Sequence, residues 1–91
     1  LGVLADMITV LYFARFRERL GRERETVELP GDGQLTVQSV LDFLVSRGGL
    51  WQELLDCDRG VLVAVNQEMA SRETAVRQGD ELAVFPPVTG G

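Results

Sequence analysis

The sequence predicts an α+β domain in which one main helix packs across one face of a mixed, mostly five-stranded sheet. Three observations lead there. Apolar runs of strand character open and close the chain, MITVLYF at 7–13 and LAVF at 82–85. A single amphipathic stripe lies between them. The remaining apolar runs are short, one ended by Pro30 and another opened after Gly60. With 91 residues and 45% hydrophobic content, the chain has room for one core and can fold without a disulfide or a metal.

The first run, Met7 to Phe13, is β-branched and aromatic with only Thr9 polar, which predicts an interior strand buried on both faces. We therefore place the domain at 7–87 and set residues 1–6 aside as an extension. ARFRERLG follows, with Phe16 and Leu20 four apart and Gly21 behind them, the pattern of a short helix with a glycine cap. ETVELP, ended by Pro30, predicts a second strand hairpin-paired with the first. GDGQ, at 31–34, is a turn.

Val37, Val40, Leu41, Leu44 and Val45 fall at i, i+3, i+4, i+7 and i+8, one apolar face of a helix from Thr36 to Arg47. Thr36 is its predicted N-cap, Leu35 and Val40 its hydrophobic staple, and Gly48-Gly49 its end. LWQELLD adds a helical turn that sets Leu50, Leu54 and Trp51 against the core or its rim. VLVAVN predicts a third strand, a minor strand lies within 69–76, and the turn QGDE leads to the last strand, closed by Pro86. The two most apolar strands are predicted to be central neighbours. With the helix between them in the chain, they pair in parallel. This is the ubiquitin-like β-grasp layout.

Composition removes most function classes. The net charge is −5, which argues against nucleic acid or an anionic membrane as partner and favours an electropositive protein surface. All nine basic residues are arginine, and five of them, Arg15, Arg17, Arg19, Arg22 and Arg24, crowd into ten positions among glutamates, as in a solvated segment laced with ion pairs. No apolar run reaches membrane-spanning length and no signal-peptide pattern opens the chain, so a soluble cytoplasmic protein is expected. There is no histidine and only one cysteine, Cys57, between two aspartates that disfavour its thiolate. No metal site, nucleophile–base pair or phosphate-binding loop is legible.

What remains is the ending, VFPPVTGG. Pro86 and Pro87 stiffen the exit from the last strand. Residues 88–91 are expected to form a flexible tail that reaches roughly 14 Å beyond them at about 3.5 Å per residue. Gly90 and Gly91 lack side chains, so the tip fits a narrow channel, and the Gly91 carboxylate is ionised at neutral pH. A carboxylate is a poor electrophile until activated. Adenylation by ATP supplies a leaving group, and a sulfur nucleophile then yields a thiocarboxylate. Diglycine alone is weak evidence, because Gly48-Gly49 has an ordinary helix-ending role.

VLYFARFRERLG, VLVAVNQ and GDELAVFPPVTGG together resemble the MoaD family of β-grasp sulfur carriers, the small subunits of molybdopterin synthase. The resemblance runs from Met7 to Gly91. It implies that Gly91, with Gly90 beside it, is adenylated by a ubiquitin-activating-like adenylyltransferase that consumes ATP. The thiocarboxylate then delivers sulfur, inside the large catalytic subunit, to cyclic pyranopterin monophosphate, in a heterotetramer of two small and two large subunits. It implies further that Phe85 docks on the partner, that Pro86, Pro87, Val88 and Thr89 line the partner's tunnel, and that Arg17 makes a polar contact. No bound cofactor or metal is implied. In one departure, Val84 stands where many members carry a second aromatic residue. Other classes left open are a thiamine- or tungsten-cofactor-type carrier, a ubiquitin-like modifier conjugated through Gly91, and a β-grasp interaction module.

Overall fold

The computed structural model describes residues 5–30, 34–56 and 60–87. In chain order the elements are β1 (Ala5–Tyr12), α1 (Ala14–Leu20), β2 (Arg24–Pro30), β3 (Leu35–Thr36), α2 (Val37–Val45), α3 (Gly49–Leu55), β4 (Leu62–Val65), β5 (Glu68–Ala70), β6 (Ala75–Val76) and β7 (Glu81–Phe85). Five strands form one mixed sheet in the order β2-β1-β7-β4-β5, and β3 pairs with β6 in a separate two-stranded ribbon. β1 and β7 are parallel neighbours, with Tyr12 opposite Val84, as the sequence predicts. The β1–β2, β4–β7 and β4–β5 pairs are antiparallel.

Four expectations need correction. β1 starts at Ala5 rather than Met7, because Ala5 and Asp6 pair with Pro30 and Leu29; these two residues belong to the sheet. β1 is not buried on both faces. Ile8, Val10 and Tyr12 are buried, whereas Met7 and Phe13 are exposed and Thr9 and Leu11 are half-buried. Helices cover one side of the sheet only, so an apolar run sorts by the two-residue period of the strand. The minor strand expected within 69–76 is two strands, β5 at the sheet edge and β6 in the ribbon, joined by a turn at 72–73. Finally, α2 ends at Val45, and Gly48-Gly49 joins two helices rather than stopping one. Gly48 is the N-cap of α3 with φ 75° and ψ −168°, a conformation that side chains disfavour. Cys57 and residues 31–33 of the turn predicted at 31–34 lie outside the described residues, as do 1–4 and 88–91.

The N-terminus of α2 is the best-satisfied helix end. Thr36 and Ser39 exchange side-chain-to-backbone hydrogen bonds as a capping box, and the next two amides, of Val37 and Gln38, donate to the carbonyls of Thr74 and Arg72. The unpaired donors of a helix start are thereby met by the 72–74 loop. α2 presents Val37, Val40, Leu41 and Leu44, all at 0–1% exposure, to the inner sheet face. There they meet Ile8 and Val10 of β1, Val27 and Leu29 of β2, and Leu82 and Val84 of β7.

One polar cluster ties this core together at its rim. The Glu25 carboxylate accepts two hydrogen bonds from Arg47, at 2.8 and 2.9 Å, one from Arg22 at 3.2 Å and one from the Tyr12 hydroxyl. The Tyr12 oxygen in turn accepts from Trp51 Nε1 at 3.2 Å. The guanidinium groups of Arg22 and Arg47 lie 5.3 and 5.0 Å from the Trp51 ring centre. β1, β2, the α2–α3 joint and α3 therefore meet at one carboxylate, whose side chain is only 12% exposed. By contrast, Arg19–Glu53 is about half exposed at both ends and contributes little.

Burial pushes the Glu25 pKa upward, but hydrogen bonds from Arg47 and Tyr12, with the charges of Arg47 and Arg22, outweigh it and hold the carboxyl below its ordinary value. Burial, then the hydrogen bond to Glu25, pushes the Tyr12 phenol up. Because the folded state lowers Glu25, its stabilisation is fully present above the unfolded carboxylate pKa of about 4.3 and is lost as pH falls through the lower folded value. Glu25→Gln is expected to lower stability at pH 7 by about 1–3 kcal/mol. The variant also loses less stability than the parent on acidification below about pH 4.3; urea unfolding over a pH series reads both effects.

Candidate functional site

β7 ends at the open end of the sheet, and the chain leaves it through Pro86 and Pro87. Leu82 and Val84 point into the core at 0% exposure. Phe85, one residue on, therefore lies on the uncovered face, half-buried, opposite Leu62 of β4. The aromatic residue that many resembling chains carry in place of Val84 would thus enter the core side. The uncovered face is unchanged by that departure.

Phe13 completes the patch. Its N–H donates to the Val84 carbonyl at 3.2 Å, which continues the β1–β7 ladder past Tyr12. Its ring then meets Phe85 edge-on, with centroids 6.1 Å apart and planes at 84°, a favoured aromatic arrangement. Phe13 remains 43% exposed. Sequence reasoning assigned it to a buried strand and missed this role. The available signal was parity, since a buried Tyr12 puts Phe13 on the other face.

The structure has two shallow clefts here, one lined in part by Phe13 and one by Pro87. One, of about 340 Å³, is lined by Leu11, Tyr12, Phe13, Arg17, Glu23 and Arg24, so Arg17 stands beside Phe13. Neither Arg17 nor Arg24 has a side-chain ion pair or hydrogen bond among the described residues. The other, of about 290 Å³, lies between α1 and α3 and is lined by Arg15, Phe16, Arg19, Glu53, Leu54 and Pro87. Gly60, at φ 74°, lies close to Pro87; a Cβ there would sit 3.7 Å from the Pro87 ring. Phe85, Pro86, Pro87 and Arg17 are thus gathered at one end of the sheet, while Val88, Thr89, Gly90 and Gly91 lie outside the described residues.

This end of the molecule combines a proline-lined exit, an aromatic pair in which Phe13 is exposed and Phe85 half-buried, and arginines with no side-chain partner among the described residues. Among the described residues no group of three or more potential metal ligands occurs, and no helix is long and apolar enough to cross a membrane. The side chains gathered here include no nucleophile–base pair. What they can do is dock: a partner that covers Phe13 and Phe85 receives whatever follows Pro87.

Comparison with known proteins places this geometry. The model of the family described as "ThiS family" matches residues 10–91. The molybdopterin synthase sulfur carrier subunit of Haemophilus influenzae is 41% identical over 85 residues, covering 93% of this chain and all of that protein. Among solved structures, the putative molybdopterin converting factor subunit 1 of Pyrococcus furiosus superposes with a TM-score of 0.73 at 33% identity, covering 91% of this chain and 99% of the other. The small archaeal modifier protein 1 of Haloferax volcanii gives 0.70 at 34% identity, with the same coverage.

The two phenylalanines that bracket Ala14 and Arg15 are expected to separate on truncation. Phe16, 1% exposed, should cost about 3–5 kcal/mol as Phe16→Ala. Phe13→Ala should cost about 1 kcal/mol, because much of its ring is already in water. Chemical denaturation of the two variants measures the difference.

Proposed function

Because this chain belongs to the ThiS family, matched through its last residue, Gly91, we propose that it is the sulfur carrier subunit of a molybdopterin synthase, working in the cytoplasm. The observation that carries this reading is the placement of Phe85, Pro86 and Pro87 at the end of a central strand, beside an exposed aromatic partner and away from any side-chain catalytic set.

The chemistry belongs to the backbone carboxylate. A ubiquitin-activating-like adenylyltransferase binds the carrier, and a Gly91 carboxylate oxygen attacks the α-phosphorus of ATP; pyrophosphate leaves, and the acyl adenylate forms. A sulfur nucleophile attacks the carbonyl carbon and AMP departs with the bonding electron pair; hydrosulfide gives –C(=O)S⁻ directly on loss of its proton, whereas a persulfide gives an acyl disulfide that a thiol reduces to –C(=O)S⁻ as a disulfide forms on the donor. In the large, catalytic subunit the sulfur passes to cyclic pyranopterin monophosphate, and water restores the carboxylate. The small subunit contributes reach, docking and a tip without side chains. It is not an enzyme on its own, and it holds no cofactor.

Docking follows from the patch. Phe13 and Phe85 form the apolar centre, and Arg17 supplies a polar contact at its rim, where a charge mainly sets orientation and association rate. Pro86, Pro87, Val88 and Thr89 occupy the partner's tunnel. The same surface serves the activating enzyme and the large subunit in turn, and the tail carries sulfur between them.

The likeness to small archaeal modifier protein 1 favours one second reading, conjugation through Gly91 to lysines of other proteins. Lacking lysine itself, the chain cannot extend such a conjugate through its own side chains.

Incubation with the activating enzyme, ATP and a sulfur source is expected to raise the intact mass by the difference between sulfur and oxygen. Deletion of Gly91 should abolish this gain and leave the thermal unfolding temperature unchanged. An unchanged mass in the parent sinks the carrier reading. Adducts in cell extract that survive denaturant and reductant support the second.

A further inference from the structure

Among the described residues, three that are not glycine have a left-handed backbone: Ala14 at φ 54°, Asn66 at φ 50° and Gln67 at φ 73°. Asn66 and Gln67 have an ordinary reason. They are the two residues that connect β4 to β5, between the paired Val65 and Glu68, where a tight hairpin demands positive φ twice. Asn66 is further held by its side chain, which bonds Asp80 at 3.1 Å and the Glu81 N–H at 3.0 Å. Ala14 has neither reason. It closes no hairpin, and its methyl group can make no compensating hydrogen bond.

What Ala14 does is separate two aromatic residues. Before it, Phe13 is kept in ladder register by its bond to Val84 and rests on Phe85 on the open face, 43% exposed. After it, α1 turns back so that Phe16 enters the core at 1% exposure, and the Phe16 N–H bonds the Phe13 carbonyl at 3.1 Å. Phe13 is therefore bound on both its backbone groups, and the residue between strand and helix absorbs the change of direction. Backbone held in a sparsely populated region persists where the surroundings over-determine it, and such residues cluster at functional sites.

We propose that the left-handed conformation of Ala14 presets the docking patch: it locks Phe13 against Phe85 in the free protein, so that the aromatic pair meets its partner already formed. Ala14 is then a positioning residue that acts through Phe13. The inference rests on the docking reading above.

Affinity for the large subunit, measured by calorimetry, separates backbone conformation from side-chain size. Asparagine tolerates positive φ and valine does not. Ala14→Asn is expected to bind within about twofold of the parent, and Ala14→Val about tenfold more weakly, a difference of about 1.4 kcal/mol. In a Phe13→Ala background, Ala14→Val should cost nothing further, because both changes act through one contact. Equal losses for asparagine and valine, or full additivity with Phe13→Ala, overturn the proposal. Phe13→Ala binding as well as the parent overturns the docking reading with it, whereas weak Phe13→Ala beside a parental Ala14→Val overturns this proposal alone. Chemical synthesis with D-alanine at position 14 covers the case in which valine prevents folding. It should raise Tm by about 4 °C and keep the nuclear Overhauser contact between the two rings. A lower Tm or a lost contact refutes the idea.

Discussion

β1 and β7 run parallel, with Tyr12 opposite Val84, and no hairpin can join a parallel pair. The whole intervening chain must therefore cross over and return, and α2 is the element that does so on one face of the sheet. The other strands follow from this. β2 adds outside β1 and β4 outside β7, each antiparallel, so that the chain's first strand and its last lie side by side in the middle of the sheet. The exit of β7 therefore stands beside the end of β1, and Phe85 beside Phe13.

Covering only one face has an equally direct consequence. Each central strand divides its side chains between core and open surface, so Val84 and Phe85 have unrelated tasks although they adjoin. Val84 lies fully buried in the core. Phe85 faces out and, with Phe13, leaves apolar surface that a lone small domain gains nothing by exposing. The Tyr12 phenol reaches the Glu25 carboxylate, so the residue next to Phe13 links the aromatic pair to the polar cluster that joins the sheet to the α2–α3 connection and α3.

Charge is placed with comparable economy. The segment from Arg15 to Arg24 reads as uniformly solvated, yet its arginines divide into separate kinds. Arg22 stacks on Trp51 and bonds Glu25. Arg19 pairs with Glu53 in the open. Arg17 has no such side-chain partner among the described residues and stands beside Phe13. The difference arises because α1 is short and its faces look toward different neighbours, which arginine count and spacing do not encode.

Local pattern determined a good deal by itself. The α2 stripe, the Thr36 cap, the Gly21 cap and the stop at Pro86 follow from periodicity, capping chemistry and proline's missing donor, all of which act over a few residues, and the parallel pairing of first and last strands follows from the order of elements along the chain. The proposal for the Gly91 carboxylate likewise draws on local pattern alone, two prolines followed by a diglycine at the end of the sequence. Tertiary structure decided what depends on partners distant in sequence. It showed that β1 begins at Ala5, because Pro30 and Leu29 are there to pair with it, and that Gly48-Gly49 joins two helices. It gathered Glu25, Arg47 and Trp51 around Tyr12, and it turned Phe13 outward onto Phe85. Burial is a property of the assembled sheet, in which only one face is covered, and a run of apolar letters does not reveal which of its members will meet water.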